Sequence, residues 1–236
     1  MPNSESDRRR PIGTVLVTGG ASGLGAAVAR AVTDAGGTPL VVDINPPADG
    51  IRHELVDLAD GRAAEAAVTR LAEQAGRLDA VVTAAGVDAC GTLDNVPAER
   101  WDNVIRVNLM GTVATIRAAL PFLEESRGTV VTVASTLGLR ALPDASAYCA
   151  SKFGVVGFTR ALTLELAGRI GVTLLVPGGM ETSFFDGRDP QYQPGPDAKL
   201  NRPGDVAAAV LFALSQPPGC EIRELVVTPS TEPSWP

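Results

Sequence analysis

The sequence is poor in the residues from which metal sites, histidine-based hydrolases and disulfide frameworks are built. His53 is the only histidine, which excludes a site with two histidine ligands. It also makes a Ser-His-Asp hydrolase a poor explanation of the sequence, because His53 would have to be the base. The three cysteines, Cys90, Cys149 and Cys220, are scattered and include no C-x-x-C pair. We therefore predict neither a bound metal nor a set of disulfides.

The sequence also lacks a long apolar run and an excess of positive charge. No stretch of eighteen apolar residues occurs, so we predict no membrane-spanning helix and expect a cytoplasmic protein. The net charge of −7, from 20 Lys and Arg against 27 Asp and Glu, gives no reason to expect nucleic acid or an anionic membrane as a partner. Residues 1–10 are polar and include three consecutive arginines, which predicts a flexible N-terminal tail.

Short apolar runs alternate with stretches of helical periodicity through most of the chain. This order is typical of a parallel sheet that is covered by helices on both faces. Residues 12–17 predict the first strand, and residues 24–35 carry apolar residues at the i, i+3, i+4 spacing of a helix. No internal repeat or linker divides the chain. We predict a single-domain α/β fold over residues 11–236, a Rossmann-type doubly wound sheet of about seven strands with a short irregular tail at 229–236.

A glycine-rich turn follows the first predicted strand and leads into the first predicted helix. Gly19, Gly23 and Gly25 lie there in the sequence T-G-G-A-S-G-L-G. Glycines at such a turn allow the backbone to approach a pyrophosphate, whose charge the N-terminus of the helix attracts. The pattern predicts a dinucleotide site, and we assign Ser22 and Leu24 to it with the glycines.

Asp43 ends the second predicted strand, eighteen residues beyond Gly25. A carboxylate there can accept hydrogen bonds from both adenosine ribose hydroxyls and would repel the 2′-phosphate of NADP. No arginine or lysine occurs at positions 19–25 or 43–48 to bind that phosphate. We therefore expect NAD in preference to NADP. The alternative is that Asp43 only serves the turn at the end of its strand.

Tyr148 and Lys152 lie four residues apart in Y-C-A-S-K, and Ser135 precedes the tyrosine by thirteen residues. On a helix, the lysine would lie one turn from the tyrosine on the same face. Its positive charge would favour the phenolate and so lower the tyrosine pKa from a reference value of about 10. We interpret the pair as a general acid and base.

Together with the glycine turn, the residues Asn108, Ser135, Tyr148 and Lys152 resemble the short-chain dehydrogenase/reductase family in their order and spacing. The resemblance implies an enzyme in which Tyr148 exchanges a proton with the substrate, Ser135 binds the substrate oxygen and Lys152 holds the nicotinamide ribose. Asn108, at a break in its helix, would hold a water that links Lys152 to solvent. The implied cofactor is NAD(P), which carries the hydride.

Further cofactor contacts are predicted beyond the glycine turn. Asp57, after the third strand, either binds the adenine amino group or caps the next helix. By the resemblance, Thr182 is the side chain at the carboxamide end of the nicotinamide. Where the family usually has N-A-G after the fourth strand, this sequence has Ala84-Ala85-Gly86. The backbone path beside the adenosine can survive this change, but a side-chain hydrogen bond that stabilises the strand is lost. The remaining predicted contacts are Ile44, Leu58, Pro177, Gly178 and Met180.

Substrate specificity is expected in loops at the carboxyl ends of the strands. The candidates are residues 87–91, residues 136–144 and a lid near residues 183–202. Arg140 or Arg188 could meet a substrate carboxylate, or could be an exposed charge.

The function that these patterns favour is interconversion of a secondary alcohol, or ring hydroxyl, and a ketone with NAD(H). The alternatives are an NADPH-dependent ketoreductase of a biosynthetic pathway and a non-catalytic nucleotide-binding scaffold. The partner is expected to be a small alcohol or ketone. By the resemblance, the helices near residues 108–123 and 146–168 pair between subunits in a homotetramer or homodimer.

Overall fold

The computed structural model describes residues 9–234, and its centre is a parallel sheet of seven strands. From one edge to the other, the strands are β3 (Arg52–Leu55), β2 (Thr38–Asp43), β1 (Thr14–Thr18), β4 (Ala80–Thr83), β5 (Thr129–Val133), β6 (Gly171–Pro177) and β7 (Glu224–Val227). The direction of winding reverses between β1 and β4, and ligands bind at such a switch point in doubly wound sheets. The predicted α/β fold is confirmed.

Helices cover both faces of this sheet. They are α1 (Gly23–Asp34), α2 (Gly61–Ala75), α3 (Ala98–Ile105), α4 (Thr112–Ser126), α5 (Ser146–Glu165) and α6 (Pro203–Leu214). In β1, Leu16 belongs to the core shared with α2, α4 and α5, whereas Val15 and Val17 belong to the core shared with α1 and α6. A strand buried on both faces needs apolar residues at every position, which explains the continuous apolar runs of the sequence.

The helix that carries Asn108 is broken, as the resemblance implies. Helix α3 continues into a π-helix, Arg106–Gly111, which then continues into α4. A π-helix has i→i+5 hydrogen bonds and is frequent at functional sites. Asn108 lies within this segment, and its side chain is directed into the protein, where the residue is buried.

Residues 1–8 of the predicted tail lie outside the described residues. Arg10, the last residue of that tail, is attached to the domain: its guanidinium donates hydrogen bonds to the carbonyls of Ser126 (2.9 Å) and Arg127 (2.6 Å). Its backbone N–H also donates to the carbonyl of Ser215 over 3.0 Å. Within residues 9–234, no helix is both long enough and apolar enough to cross a membrane.

Candidate active site

One cleft at the carboxyl ends of the strands gathers the predicted catalytic and cofactor residues. Its volume is about 720 Å³. Of the predicted residues, Asn108 alone does not line it. Those that do are Gly19, Ser22, Gly23, Leu24, Gly25, Asp43, Ile44, Asp57, Leu58, Ala84, Ala85, Gly86, Ser135, Tyr148, Lys152, Pro177, Gly178, Met180 and Thr182.

The glycine turn has the shape that a pyrophosphate requires. A Cβ atom on Gly25 would lie 2.1 Å from the carbonyl oxygen of Gly19, and one on Gly19, whose φ is +70°, would lie 2.7 Å from Cα of Ala85. Side chains larger than hydrogen therefore do not fit. Ser22 is the N-cap of α1, and its side chain accepts no hydrogen bond from that helix. The turn thus fits an anion at the start of α1.

Asp43 lies beside the glycine turn and connects it to the loop after β2. Its Oδ2 accepts a hydrogen bond from the N–H of Ala21 (3.0 Å), and its Oδ1 accepts one from the N–H of Asn45 (2.9 Å). Each oxygen retains a lone pair, because a carboxylate oxygen can accept two hydrogen bonds. The carboxylate therefore has free acceptor positions at the place where the sequence predicts a ribose.

The alternative assignment of Asp57 as a helix cap is wrong. Asp60 caps α2, because its Oδ1 accepts hydrogen bonds from the N–H groups of Arg62 (3.1 Å) and Ala63 (3.0 Å). Asp57 instead accepts one from the N–H of Ala59 (2.9 Å) and lines the cleft.

Ser135, Tyr148 and Lys152 come together from β5 and α5. Ser135 is the second residue after β5, and both Tyr148 and Lys152 lie in the first two turns of α5. Nζ of Lys152 lies 5.6 Å from the centre of the Tyr148 ring and donates a hydrogen bond to the carbonyl of Val133 over 2.9 Å. The expected helical spacing of the pair is confirmed.

The pKa of Tyr148 differs from the expectation. Burial raises the pKa of Tyr148 above its usual value, and a hydrogen bond with Ser135 opposes the rise. Burial also lowers the pKa of Lys152 from 10.5 to about 8. The expectation of a tyrosine pKa lowered by Lys152 is therefore wrong in this structure, because desolvation of the phenolate outweighs the favourable interactions. Lys152 still carries its charge at neutral pH.

Asn108 links the loop after β4 to α5. Its Oδ1 accepts a hydrogen bond from the N–H of Val87 (2.8 Å), and its Nδ2 donates to the carbonyl of Val87 (2.9 Å) and to Oγ of Ser151 (3.0 Å). A Cβ atom on Gly86 would lie 3.5 Å from Oδ1 of Asn108 and 3.7 Å from Nζ of Lys152. Both polar groups therefore face the same glycine, Lys152 as part of the cleft lining and Asn108 from outside that lining.

The lid contributes an ion pair that the sequence analysis did not find. Nη2 of Arg188 lies 3.1 Å from Oδ2 of Asp88, which follows β4. The same guanidinium lies over the rings of Phe184 and Phe185, and the Phe184 ring is 5.6 Å from the ring of Tyr148. The signal in the sequence that could have indicated this pair is Asp88, a charged residue shortly after the buried strand β4. Among the described residues, Nη2 of Arg188 has this ion pair but no hydrogen bond, and the side chain is only 15% exposed, so Arg188 is not an exposed charge.

The predicted irregular tail also reaches the cleft. Residues 229–234, which we call the C-terminal segment, follow β7, and Glu232, Pro233 and Ser234 line the cleft. Arg140, the other candidate for a substrate carboxylate, donates a hydrogen bond to the carbonyl of Pro233 over 3.2 Å. Residues 235 and 236 lie outside the described residues. No motif marked these positions in the sequence.

A doubly wound sheet with a glycine turn at its switch point, and a buried tyrosine and lysine in the same cleft, define a dinucleotide-dependent oxidoreductase. The family model described as short chain dehydrogenase matches residues 13–193. The chain belongs to this family, and the expected enzyme, a short-chain dehydrogenase/reductase acting on CH–OH donors with NAD(P), is confirmed.

The alignments with known relatives cover most of the chain. D-threitol dehydrogenase of Mycolicibacterium smegmatis is 34% identical over 220 residues, which cover 85% of this chain and 85% of that protein. 2-dehydro-3-deoxy-L-rhamnonate dehydrogenase (NAD(+)) of a Sphingomonas strain is 35% identical over 218 residues, which cover 85% of this chain and 87% of the relative. The ligand-free aldohexose dehydrogenase of Thermoplasma acidophilum has the same fold, with a TM-score of 0.82 and 24% identity over 92% of both chains.

Proposed function

We propose that the protein is an NAD(H)-dependent dehydrogenase that interconverts a secondary alcohol, or ring hydroxyl, and a ketone. Tyr148 is its general acid and base. The observation that supports this proposal is the placement of Ser135, Tyr148 and Lys152 in the cleft that also contains the glycine turn. The names of the relatives refer to a polyol, a sugar acid and aldohexoses, so the first substrate screen should contain hydroxyl-rich compounds.

In the direction of oxidation, the phenolate oxygen of Tyr148 takes the proton of the substrate hydroxyl, and in reduction the phenol gives a proton to the substrate oxygen. The Ser135 hydroxyl binds the substrate oxygen while the charge on that oxygen changes. When bound, the nicotinamide supplies the hydride chemistry. The raised pKa of Tyr148 means that its phenolate needs stabilisation during turnover, and the charged Lys152 in the same buried region is suited to provide it.

Lys152 also has hydrogen-bond donors left for the cofactor. An ammonium group has three N–H bonds, and the carbonyl of Val133 accepts only one of them. We propose that the others hold the nicotinamide ribose. We also propose that Asn108 holds a water near Lys152, for which the remaining lone pair of its Oδ1 is suited, since this atom faces Gly86 as Nζ does.

The preference for NAD is proposed from Asp43. Its two oxygens retain acceptor positions for the ribose hydroxyls, and its charge would repel a 2′-phosphate. The other predicted contacts extend this site to the adenine at Asp57 and to the carboxamide at Thr182.

Titration of protein fluorescence with NADH and, separately, with NADPH tests the cofactor. We expect NADH to bind at least about tenfold more tightly, the effect of about 1.4 kcal/mol. Asp43→Ala should remove this preference, whereas Asp34→Ala, which changes an exposed carboxylate at the end of α1, should leave it. Tighter binding of NADPH would contradict the assignment of Asp43 and favour the biosynthetic ketoreductase.

Substitution of the two tyrosines tests the chemistry. Tyr148→Phe should reduce kcat by about a thousandfold or more, because the proton-transfer group is lost, while the Kd for NADH stays within about twofold. Tyr192→Phe is the matched control, because Tyr192, the only other tyrosine, is outside the cleft lining and donates a hydrogen bond to Asp144. Turnover retained by Tyr148→Phe would refute the mechanism.

The proposal includes a homotetramer or homodimer in which α4 and α5 pair between subunits. Phe153 and Leu164 on α5 are 46% and 80% exposed, and Met110, just before α4, is 53% exposed. Apolar surface of this kind on neighbouring helices suits a subunit interface. Sedimentation velocity at micromolar concentration tests this point, and a monomer would contradict it.

A further inference from the structure

The C-terminal segment is joined to both sides of the cleft by a chain of hydrogen bonds. Oε2 of Glu232 accepts from the N–H of Gly179, in the loop after β6, over 3.1 Å. Oε1 accepts from the N–H (3.1 Å) and from the hydroxyl (2.6 Å) of Ser234. Oγ of Ser234 is in turn 2.6 Å from Oγ1 of Thr136, the residue after Ser135. Glu232 therefore connects the loop after β6 with the loop that carries the catalytic serine.

These contacts leave part of the Glu232 carboxylate free. Its two oxygens can accept about four hydrogen bonds, and the contacts above use three of them. The remaining acceptor position belongs to Oε2, on a residue that lines the cleft. A Cβ atom on Gly178 would lie 2.3 Å from Oε2, so the carboxylate packs against a glycine, where a larger side chain would displace it.

Glu232 also differs from Asp88 and Arg188, the paired charges that line the cleft, because it has no ion-pair partner among the described residues. Among residues 9–234, no arginine or lysine forms an ion pair with Glu232. Arg188, the one cation of the lid that lines the cleft, is paired with Asp88. An unpaired carboxylate accepts hydrogen bonds from hydroxyl groups, repels other carboxylates and so discriminates between ligands by charge.

We propose that Glu232 is a specificity-determining residue that selects a neutral polyol or sugar over a sugar acid. Oε2 accepts a hydrogen bond from a substrate hydroxyl that does not react. The hydrogen bonds of Oε1 to Ser234 hold the C-terminal segment as a wall of the cleft. This inference rests on the proposed dehydrogenase function, and it narrows the substrate to one of the two chemical classes that the relatives' names contain.

The experiment compares oxidation of four- and five-carbon polyols with that of the aldonates of equal carbon number, using NAD⁺ and the full chain. We expect the wild type to prefer the polyols in kcat/KM by about tenfold or more, since a repelled carboxylate costs at least about 1.4 kcal/mol. Glu232→Gln keeps the size of the side chain and an acceptor oxygen but removes the charge. It should reduce this preference by about tenfold, chiefly because the KM for aldonates falls once the charge is gone, whereas a variant that only loosened the C-terminal segment would raise the KM of both classes.

Glu73→Gln, on the exposed face of α2, is the matched control and should leave the preference unchanged. An unchanged preference in Glu232→Gln would overturn the inference. So would a wild type that oxidises aldonates as well as polyols, although the proposed dehydrogenase function would then stand. If the wild type oxidises neither class but does oxidise another secondary alcohol, this inference fails and the proposed function stands; if it binds NADH but oxidises no secondary alcohol at all, both fail.

Discussion

Arg188 and Asp88 connect the lid to the loop after β4 through a partly desolvated ion pair, with Nη2 and Oδ2 3.1 Å apart. Their side chains are only 15% and 9% exposed. The guanidinium is further held by the rings of Phe184 and Phe185, whose faces attract a cation. Because both charges have lost most of their water, each depends on the other. The pair therefore links the loop after β4 to the lid, whose Phe184 ring lies 5.6 Å from the ring of Tyr148.

The first prediction concerns the strength of this pair. In a double-mutant cycle of Asp88→Asn and Arg188→Gln, we expect a coupling free energy of about 1–3 kcal/mol, since either single change leaves a poorly solvated charge unpaired. Free energies of unfolding in urea, measured for the four proteins, give this value. The same cycle at Arg62 and Glu65 on α2, where the arginine side chain is 86% exposed, should give less than about 0.5 kcal/mol. Equal coupling in the two cycles would contradict the structural role of the pair.

The second prediction concerns pH and Lys152. Burial lowers the pKa of Lys152 from 10.5 to about 8, so between these values the unfolded chain binds the proton more tightly than the folded chain. Stability contributed by this group therefore increases as pH rises through that window. Below about pH 8 the buried charge is unfavourable by roughly 3 kcal/mol, at 1.36 kcal/mol per pKa unit.

Lys152→Met should consequently raise the free energy of unfolding at pH 7 by about 1–3 kcal/mol, partly offset by the lost hydrogen bond to Val133, and should abolish turnover. The gain should shrink between pH 8 and pH 10. Thermal unfolding at pH 7 and pH 9.5 measures it. Lys199→Met is the control, because Lys199 is the only other lysine and is exposed. A variant less stable than the wild type at pH 7 would show that burial does not depress the pKa of Lys152 as described.

The third prediction concerns the glycine turn. Gly25→Ala should raise the Kd for NADH by about tenfold or more, because its Cβ would lie 2.1 Å from the Gly19 carbonyl oxygen and would distort the turn. Gly204→Ala, in the first turn of α6 with no atom within 4 Å of the added methyl group, should bind NADH as the wild type does. Fluorescence titration of both variants with NADH measures the two Kd values. Equal affinities would mean that the turn does not contact the cofactor.

The fourth prediction concerns Asn108. Asn108→Asp replaces a donor to Val87 and Ser151 by an oxygen, which places a carboxylate against a backbone carbonyl in a buried position. We expect a loss of about 2–4 kcal/mol in the free energy of unfolding. Asn95→Asp, at an exposed asparagine bonded only to Thr92, should change it by less than about 0.5 kcal/mol. Similar losses in the two variants would contradict the buried link between the loop after β4 and α5.

The parts of the site that the sequence predicts are those determined over short distances. The glycine turn and the spacing of Tyr148 and Lys152 depend on local backbone geometry, which residue type and spacing reveal directly. The alternation of strands and helices along the chain follows from residue periodicity for the same reason. These expectations therefore agree with the structure.

The features that the sequence analysis missed depend on long-range contacts. Asp88 and Arg188 are a hundred residues apart, and Glu232 meets Gly179 across 53 positions, so no local pattern joins them. The pKa of Tyr148 was predicted in the wrong direction because spacing reveals the neighbouring cation but not the degree of burial. Burial, and the pKa shifts that it causes, depend on side-chain packing, which exists only in the folded chain.

The π-helix of Arg106–Gly111 has a genetic consequence. A π turn contains about one residue more than an α turn of similar rise, so the helix behaves as an α-helix with a single residue inserted. Removal of one codon, such as that for the half-exposed Met110, would let the helix close into regular α geometry. All residues before the deletion would then rotate by about 100° relative to α4. Asn108 would lose its contacts with Val87 and Ser151 although its own identity was unchanged. The number of residues in this helix therefore constrains the enzyme as strictly as the identity of its side chains does.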